Sequence, residues 1–254
     1  MVRTVQPAFP SEIIASIGER IAQRCAPLRV ILIGSRARGD ARPDSDYDVV
    51  VEFDAEPALA SELGWKVKEL FPERWPVNVI ARGRGEIEMS ANDPGMIDWD
   101  IVRQGQVLYS APGAYELPSP VASRVHERPR TPPLSVAMWR LKARRDLEHA
   151  RFSMTHGDAW EYACFSAQQS AEKYLKALLV RQFVRPARTH NLTELVQAIA
   201  GAGIALRGVD AECELLTKFA VQTRYGPVMA SEGEAVAAIA AAERIAAAVE
   251  PLLD

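Results

Sequence analysis

RVILIGSRARGDARPDSDYDVVVEF, residues 29–53, is the stretch that decides the fold. Val30 to Ile33 is an unbroken apolar run rich in β-branched residues, the pattern of a strand covered on both faces. Gly34-Ser35 follows as a tight turn, and a polar loop closed by Gly39 runs on through Pro43 to Ser45. Asp46, Asp48 and the apolar Val49 to Val51 then read as a second strand. Residues i and i+2 of a strand share a face and lie about 6.6 Å apart. Alternation therefore turns Asp46 and Asp48 to one side and Tyr47 to the other. Two carboxylates this close repel unless a cation or hydrogen-bond donors offset the charge. Mg²⁺ suits them, because it takes carboxylate oxygens together with substrate phosphates. Gly34 lets backbone approach a phosphate, and Ser35 offers a hydroxyl and an N–H towards it.

Gly34-Ser35, ten intervening residues and Asp46-Tyr47-Asp48 form a GS-x10-DxD pattern that resembles the DNA polymerase β-like nucleotidyltransferases. Ala37, Arg38, Gly39, Ser45 and the Val49 to Val51 run bring it nearest to the minimal nucleotidyltransferases of that superfamily. A P-loop shares the glycine spacing of Gly34 and Gly39, but Asp40 stands where its lysine must be. The resemblance implies transfer of a nucleoside monophosphate, AMP from ATP, onto an acceptor hydroxyl of a small molecule, protein or RNA. It implies Asp46 and Asp48 as catalytic ligands of Mg²⁺ or Mn²⁺. It places Gly34, Ser35 and Ser45 at the nucleotide, with Arg36 or Arg38 offsetting phosphate charge. It also implies a third acid on the next strand, acting as base towards the attacking hydroxyl. Asn78 stands there, within Val77-Asn78-Val79-Ile80. An amide ligates a metal through its oxygen, but it adds no charge and takes no proton at neutral pH. Glu52, four residues beyond Asp48 on the same face, is the best local substitute. Glu86, Glu88, Asp98 and Asp100 lie outside that strand context.

Over its 254 residues the chain is 25% charged and 48% apolar, as globular proteins are. A net charge of −3 argues against a generic nucleic-acid coat and leaves a local basic patch open as a nucleic-acid contact. Cys25, Cys164 and Cys213 form neither a disulfide framework nor a zinc spacing, which predicts a reducing, cytoplasmic setting. No apolar stretch reaches membrane-spanning length and residues 1–20 lack a signal-peptide core, so no membrane partner is expected.

Helical spacing predicts a first helix over 11–26, with Ser11 as N-cap and Pro27 as stop, and a second over Leu59 to Phe71. IDWDIVRQGQVLY, residues 97–109, reads as helix, Gly105 turn and strand. These elements predict an α+β unit, a mixed sheet with helices, over residues 1–111. A Pro-rich linker over 112–133 is expected to join it to an all-α up-and-down bundle over 134–254. In the bundle, Leu134, Met138, Leu141 and Leu147 suggest the buried face of a helix ending near Gly157. Asp158 with Glu161 signals the next helix, which Pro186 ends; Asn191 with Glu194 signals a third. A fourth is expected over Asp210 to Tyr225, and Ser231 with Glu234 opens an Ala-rich fifth reaching Leu253.

AQQSAEKYLKALLV (167–180), RTHNLTELV (188–196) and TRYGP (223–227) together resemble the HEPN domain, a helical bundle that accompanies minimal nucleotidyltransferases. The resemblance implies a homodimer formed through the bundle. It also raises RNase activity, as in toxin–antitoxin pairs, through an Arg-x4-6-His pair. Arg185 and His190 have that spacing, yet they straddle Pro186 ahead of the third bundle helix, where a helix-entry donor is the simpler role. Trp160, Tyr162 and Tyr174 read as core aromatics. Arg140, Lys142, Arg144 and Arg145 read as a solvated face able to hold a phosphate. Two alternatives to transfer stay open: an ATP–Mg²⁺ sensor without turnover, and a fused toxin–antitoxin nuclease.

Overall fold

The computed structural model describes residues 10–71, 75–119, 132–155, 160–220 and 230–254. These form two compact units. The first runs to Asn92 and resumes at Met96; the second takes Asp93–Gly95 and the helices from residue 134 onward.

The first unit is a four-stranded sheet of β1 (Arg29–Ile33), β2 (Tyr47–Glu52), β3 (Val77–Arg82) and β4 (Gln106–Ser110), in the order β3-β2-β1-β4. β1 is antiparallel to both β2 and β4, while β2 and β3 are parallel, so the sheet is mixed. Helices α1 (Pro10–Cys25) and α3 (Pro57–Glu69) bring Ile17, Ile21 and Val67 against Val30, Leu32, Val49 and Val51. On the other face α4 (Glu86–Ser90) and α5 (Asp98–Gln104) bring Ile87 and Ile101 against Ile31, Ile33 and Val50. Both faces are covered, which is why β1 and β2 are apolar without alternation. α1 begins at Pro10, one residue ahead of the Ser11 expected to precede it. Helix α4 carries no amphipathic run, so no periodicity in the sequence predicts it.

The second unit comprises α6 (Leu134–Met154), α7 (Trp160–Arg181), α8 (Leu192–Gly201), α9 (Asp210–Thr217) and α10 (Glu232–Val249), closed by a 3₁₀ turn at Glu250–Leu252. α7 packs against each of the other four helices. It is buried nearly all round, through Ala163, Ala167, Ala171, Leu175, Leu178 and Leu179. Asn191 accepts from Thr193 N at the start of α8, and Ser231 with Glu234 forms a full capping box on α10, both as expected. Asp93 supplies the corresponding contact for α6, because its carboxylate accepts from Ser135 N at 2.8 Å and from the Ser135 hydroxyl.

Two expectations need correction here. Of the four apolar residues expected to be buried on α6, Leu147 is, but Leu134, Met138 and Leu141 are exposed by 72%, 46% and 49%; the buried face is Val136, Ala143, Leu147 and Ala150, on the side opposite those three. That face packs against α7 and joins the core of the bundle. The fourth helix is interrupted after Thr217: residues 219–220 are helical again, and the stretch from there to Tyr225 lies outside the described residues. The expected Asp158 cap, the TRYGP stretch (223–227) and residues 120–131 of the expected linker lie outside the described residues.

Candidate functional site

The site is built where β1 ends and β2 and β3 begin. Ile33 is extended, and Gly34 then turns the chain with φ +76, in the left-handed region. A Cβ there would lie 2.5 Å from Asp48 Oδ2, so glycine is required by conformation and by the nearness of the acid. The expected polar loop starts with one helical turn, α2 (Gly34–Arg38), closed by Gly39 at φ 83. The pairing register sets Ile33 beside Asp48 and Asp48 beside Asn78, so Gly34, Asp48 and Asn78 line one edge of the sheet.

Asn78 sits at the position expected of the third acid. Its Nδ2 donates to Asp48 Oδ1 at 3.0 Å and to Asp46 Oδ2 at 3.3 Å. The amide thereby relieves the repulsion between the two carboxylates that a cation would otherwise relieve. Asp46 and Asn78 are exposed and Asp48 is half-buried, so the edge is open to a substrate.

The remaining residues expected at the nucleotide have local partners. Arg36 donates to the Ser45 carbonyl from Nε at 3.0 Å and from Nη2 at 2.5 Å, and its guanidinium lies 3.9 Å from the centre of the Tyr47 ring. It staples the loop onto β2, and offsetting phosphate charge is at most a second task. Ser45 Oγ accepts from Arg42 N at 2.9 Å, and Arg38 pairs with Asp40 at 3.3 Å. Ser35 is half-buried at the mouth of the turn.

Glu52 does not substitute for the missing acid. It is fully buried about four residues down the strand, bound to Arg29 Nη1 at 2.7 Å and to the Tyr115 hydroxyl. Burial pushes its carboxyl above the usual range, against the lowering effect of Tyr115 and Arg29. Burial and the Glu52 hydrogen bond likewise push the Tyr115 phenol up. Sequence reasoning missed Tyr115, which lies in a Pro- and Gly-rich stretch with no periodic signal. Asp98 is paired with Arg82 at 2.9 Å at the far end of β3, and Glu86 accepts from Gly83 N at 2.5 Å. Among the described residues no group of three His, Cys, Asp or Glu side chains could hold a metal. Two carboxylates fit a Mg²⁺ ion that takes its other oxygens from a triphosphate and water, not an all-protein cage, and the Asn78 amide would add its oxygen only by turning over from the Nδ2 contacts it makes here.

In the second unit Arg185 and His190 take different partners. Arg185 Nη1 donates to Pro94 O at 2.6 Å, while His190 Nδ1 lies 3.0 Å from Glu172 Oε2. Glu172 also binds Lys176 at 2.8 Å and Gln168 at 3.0 Å. Burial pushes Glu172 up, but its bonds from Lys176, Gln168 and His190 outweigh that and hold it below the usual range. This network ties the segment before α8 to α7. Tyr174 and Trp160 pack in the core as expected, whereas Tyr162 is 61% exposed. Arg140 and Arg144, read as possible phosphate ligands, both bind Glu250, at 2.5 and 2.7 Å. Among the described residues no helix is long and apolar enough to cross a membrane.

Comparison with known proteins agrees with this division. The nucleotidyltransferase domain family matches residues 14–90, and the HEPN domain family matches residues 136–252. Among solved structures, TT1696 from Thermus thermophilus is 31% identical over 47% of this chain and 98% of its own, with a TM-score of 0.44. ST0689, described as an archaeal HEPN homologue, is 28% identical over 47% of this chain and 98% of its own, with a TM-score of 0.38. None of the curated proteins matches the chain. The chain is therefore a nucleotidyltransferase domain joined to a C-terminal HEPN domain.

Proposed function

We propose that the first unit transfers a nucleoside monophosphate, AMP from ATP, to a hydroxyl acceptor. The observation that carries this reading is the convergence of Asp46, Asp48 and Asn78 beside Gly34 at one sheet edge. Gly34 and Ser35 would receive the β- and γ-phosphates, and Asp46 and Asp48 would hold the α-phosphate end through Mg²⁺ or Mn²⁺. The metal would neutralise charge that develops on the phosphate oxygens. The acceptor oxygen then bonds to the α-phosphorus as the bond to the bridging oxygen breaks. Pyrophosphate leaves with that electron pair, and the hydroxyl proton passes to water, since the Asn78 amide cannot take it. Phosphoryl chemistry rests mostly on positioning and electrostatics, so two acids sustain a reduced rate.

Incubation with α-labelled ATP and Mg²⁺ tests it: labelled conjugates and pyrophosphate should form with the wild type and disappear with Asp48→Ala. The sensor reading is favoured by one observation, the Asn78 amide already bridging both acids. Tight ATP–Mg²⁺ binding with no pyrophosphate would select it. The HEPN bundle is taken here as the dimerisation module, which the exposed Leu134, Met138 and Leu141 stripe supports. A toxin–antitoxin RNase role finds no support at Arg185 and His190, whose side chains are engaged apart.

A further inference from the structure

Beside Asn78 the first unit carries a cleft of about 460 Å³. Trp65, Lys68, Phe71, Trp75, Pro76 and Asn78 line it. Its size falls in the range of small-molecule sites. Trp65 is the unexpected component. It lies on α3, whose buried residues are Ala60, Gly64 and Val67, and it is 69% exposed. Lys68 Nζ lies 6.0 Å from the centre of its ring. Across the cleft the Phe71 and Trp75 rings are 6.0 Å apart at 31°, and Arg20 steadies Trp75 from 5.5 Å.

The sheet order shows which half of a transfer reaction this cleft would serve. β1, β2 and β3 stand side by side, about 4.8 Å from one to the next. On the reading proposed above, polyphosphate lies over the end of β1 and the α-phosphorus over the acids of β2. In-line displacement puts the attacking oxygen opposite the leaving pyrophosphate. That direction leads over β3 and Asn78 into the aromatic cleft. Phe71 is buried against Trp75, which leaves the exposed Trp65 indole as the face on which another flat π-system stacks best. Among the described residues of the lining Lys68 is matched by Glu69, which gives no surplus of cation to attract a polyanion.

We infer that this cleft is the acceptor subsite and that the acceptor is an uncharged alcohol bearing a flat aromatic ring, stacked on Trp65. The inference rests on the transferase reading, and the test separates the two. The two-domain protein is saturated with Mg²⁺ and α,β-methylene-ATP, whose α–β linkage cannot be cleaved. Binding of uridine, a flat-ring alcohol, and myo-inositol, a saturated one, is then followed by saturation-transfer NMR. Uridine should bind and myo-inositol should not. Trp65→Ala, which removes an exposed side chain, should weaken uridine at least about fivefold, the lower end for loss of one stacked ring. The affinity for α,β-methylene-ATP should change by less than about twofold. Equal binding of myo-inositol, absence of uridine binding, or an unaffected Trp65→Ala variant overturns the cleft assignment while nucleotide binding stands. Absence of α,β-methylene-ATP binding by the wild type overturns the transferase reading itself.

Discussion

Replacing Asn78 by aspartate probes the site where it departs most from its family. The change removes two hydrogen bonds, at 3.0 and 3.3 Å, and sets a third carboxylate beside Asp46 and Asp48. In the metal-free protein the three charges repel, so the edge should take up a cation more readily. The expected size follows from Coulomb's law. One added charge about 4 Å from a divalent ion contributes about 2 kcal/mol in a water-like medium, twice the unit-charge value. Asp46 and Asn78 are exposed, so the water-like limit applies. Since about 1.4 kcal/mol is tenfold, Mg²⁺ should bind about thirtyfold tighter. Raising the salt should shrink the gain. Isothermal titration with MgCl₂ at fixed ionic strength measures it. The variant also gains a group able to take the acceptor proton, so pyrophosphate release should rise by about 100-fold or more. An Mg²⁺ affinity unchanged within about threefold would refute the placement of Asn78 at the metal.

Further outcomes follow from other parts of the molecule. Gly34→Ala combines a φ of +76 with a Cβ 2.5 Å from Asp48 Oδ2. It should cost about 2 kcal/mol or more in urea unfolding and abolish ATP–Mg²⁺ binding; wild-type values for both would contradict the close approach. In the bundle, burial pushes Glu250 up, but bonds from Arg144, Tyr174 and Arg140 outweigh it and hold the carboxyl at about 2. A folded-state value below the unfolded one means its contribution is present above about pH 4.5 and lost as pH falls towards 2. Glu250→Gln should therefore lower Tm at pH 7 and flatten its decline in acid, and a parallel pair of pH profiles would count against this. Glu172→Ala would strand the nearly buried Lys176 ammonium, at a cost of about 3–5 kcal/mol by chemical denaturation. Leu141→Glu, on the exposed stripe of α6, should convert a dimer to monomer in sedimentation velocity; a monomeric wild type would end the dimer proposal.

Most of the first unit was legible because its signals are local. Val30 to Ile33 announced a doubly covered strand, Gly34 a tight turn, and Gly105 the break between α5 and β4. Asn191 and Ser231 were found as caps for the same reason, since a cap bonds within three residues of itself. What depended on distant partners was not legible. Leu134, Met138 and Leu141 have the periodicity of a core face, yet α7 chose the side with Ala143 and Ala150, and no single helix announces which of its sides meets a neighbour. Glu52 fitted the strand arithmetic for a third acid, but Tyr115, 63 residues away, claims it. The cleft beside Asn78 also escaped, because it joins the end of α3 to the start of β3, two elements that no local signal links.

The burial of Arg29 and Glu52 has a consequence for the reacting end of the sheet. The runs Val30 to Ile33 and Val49 to Val51 are so uniformly aliphatic, and covered on both faces, that sliding one along the other by a residue would still set apolar against apolar. Hydrophobicity alone cannot tell the alignments apart. The cross-strand pairing of Arg29 with Glu52 can, because any slip strands two charges in oil. Acting as a detent at one end of the ladder, this ion pair keeps Asp48 abreast of Ile33, and so beside Gly34, at the other.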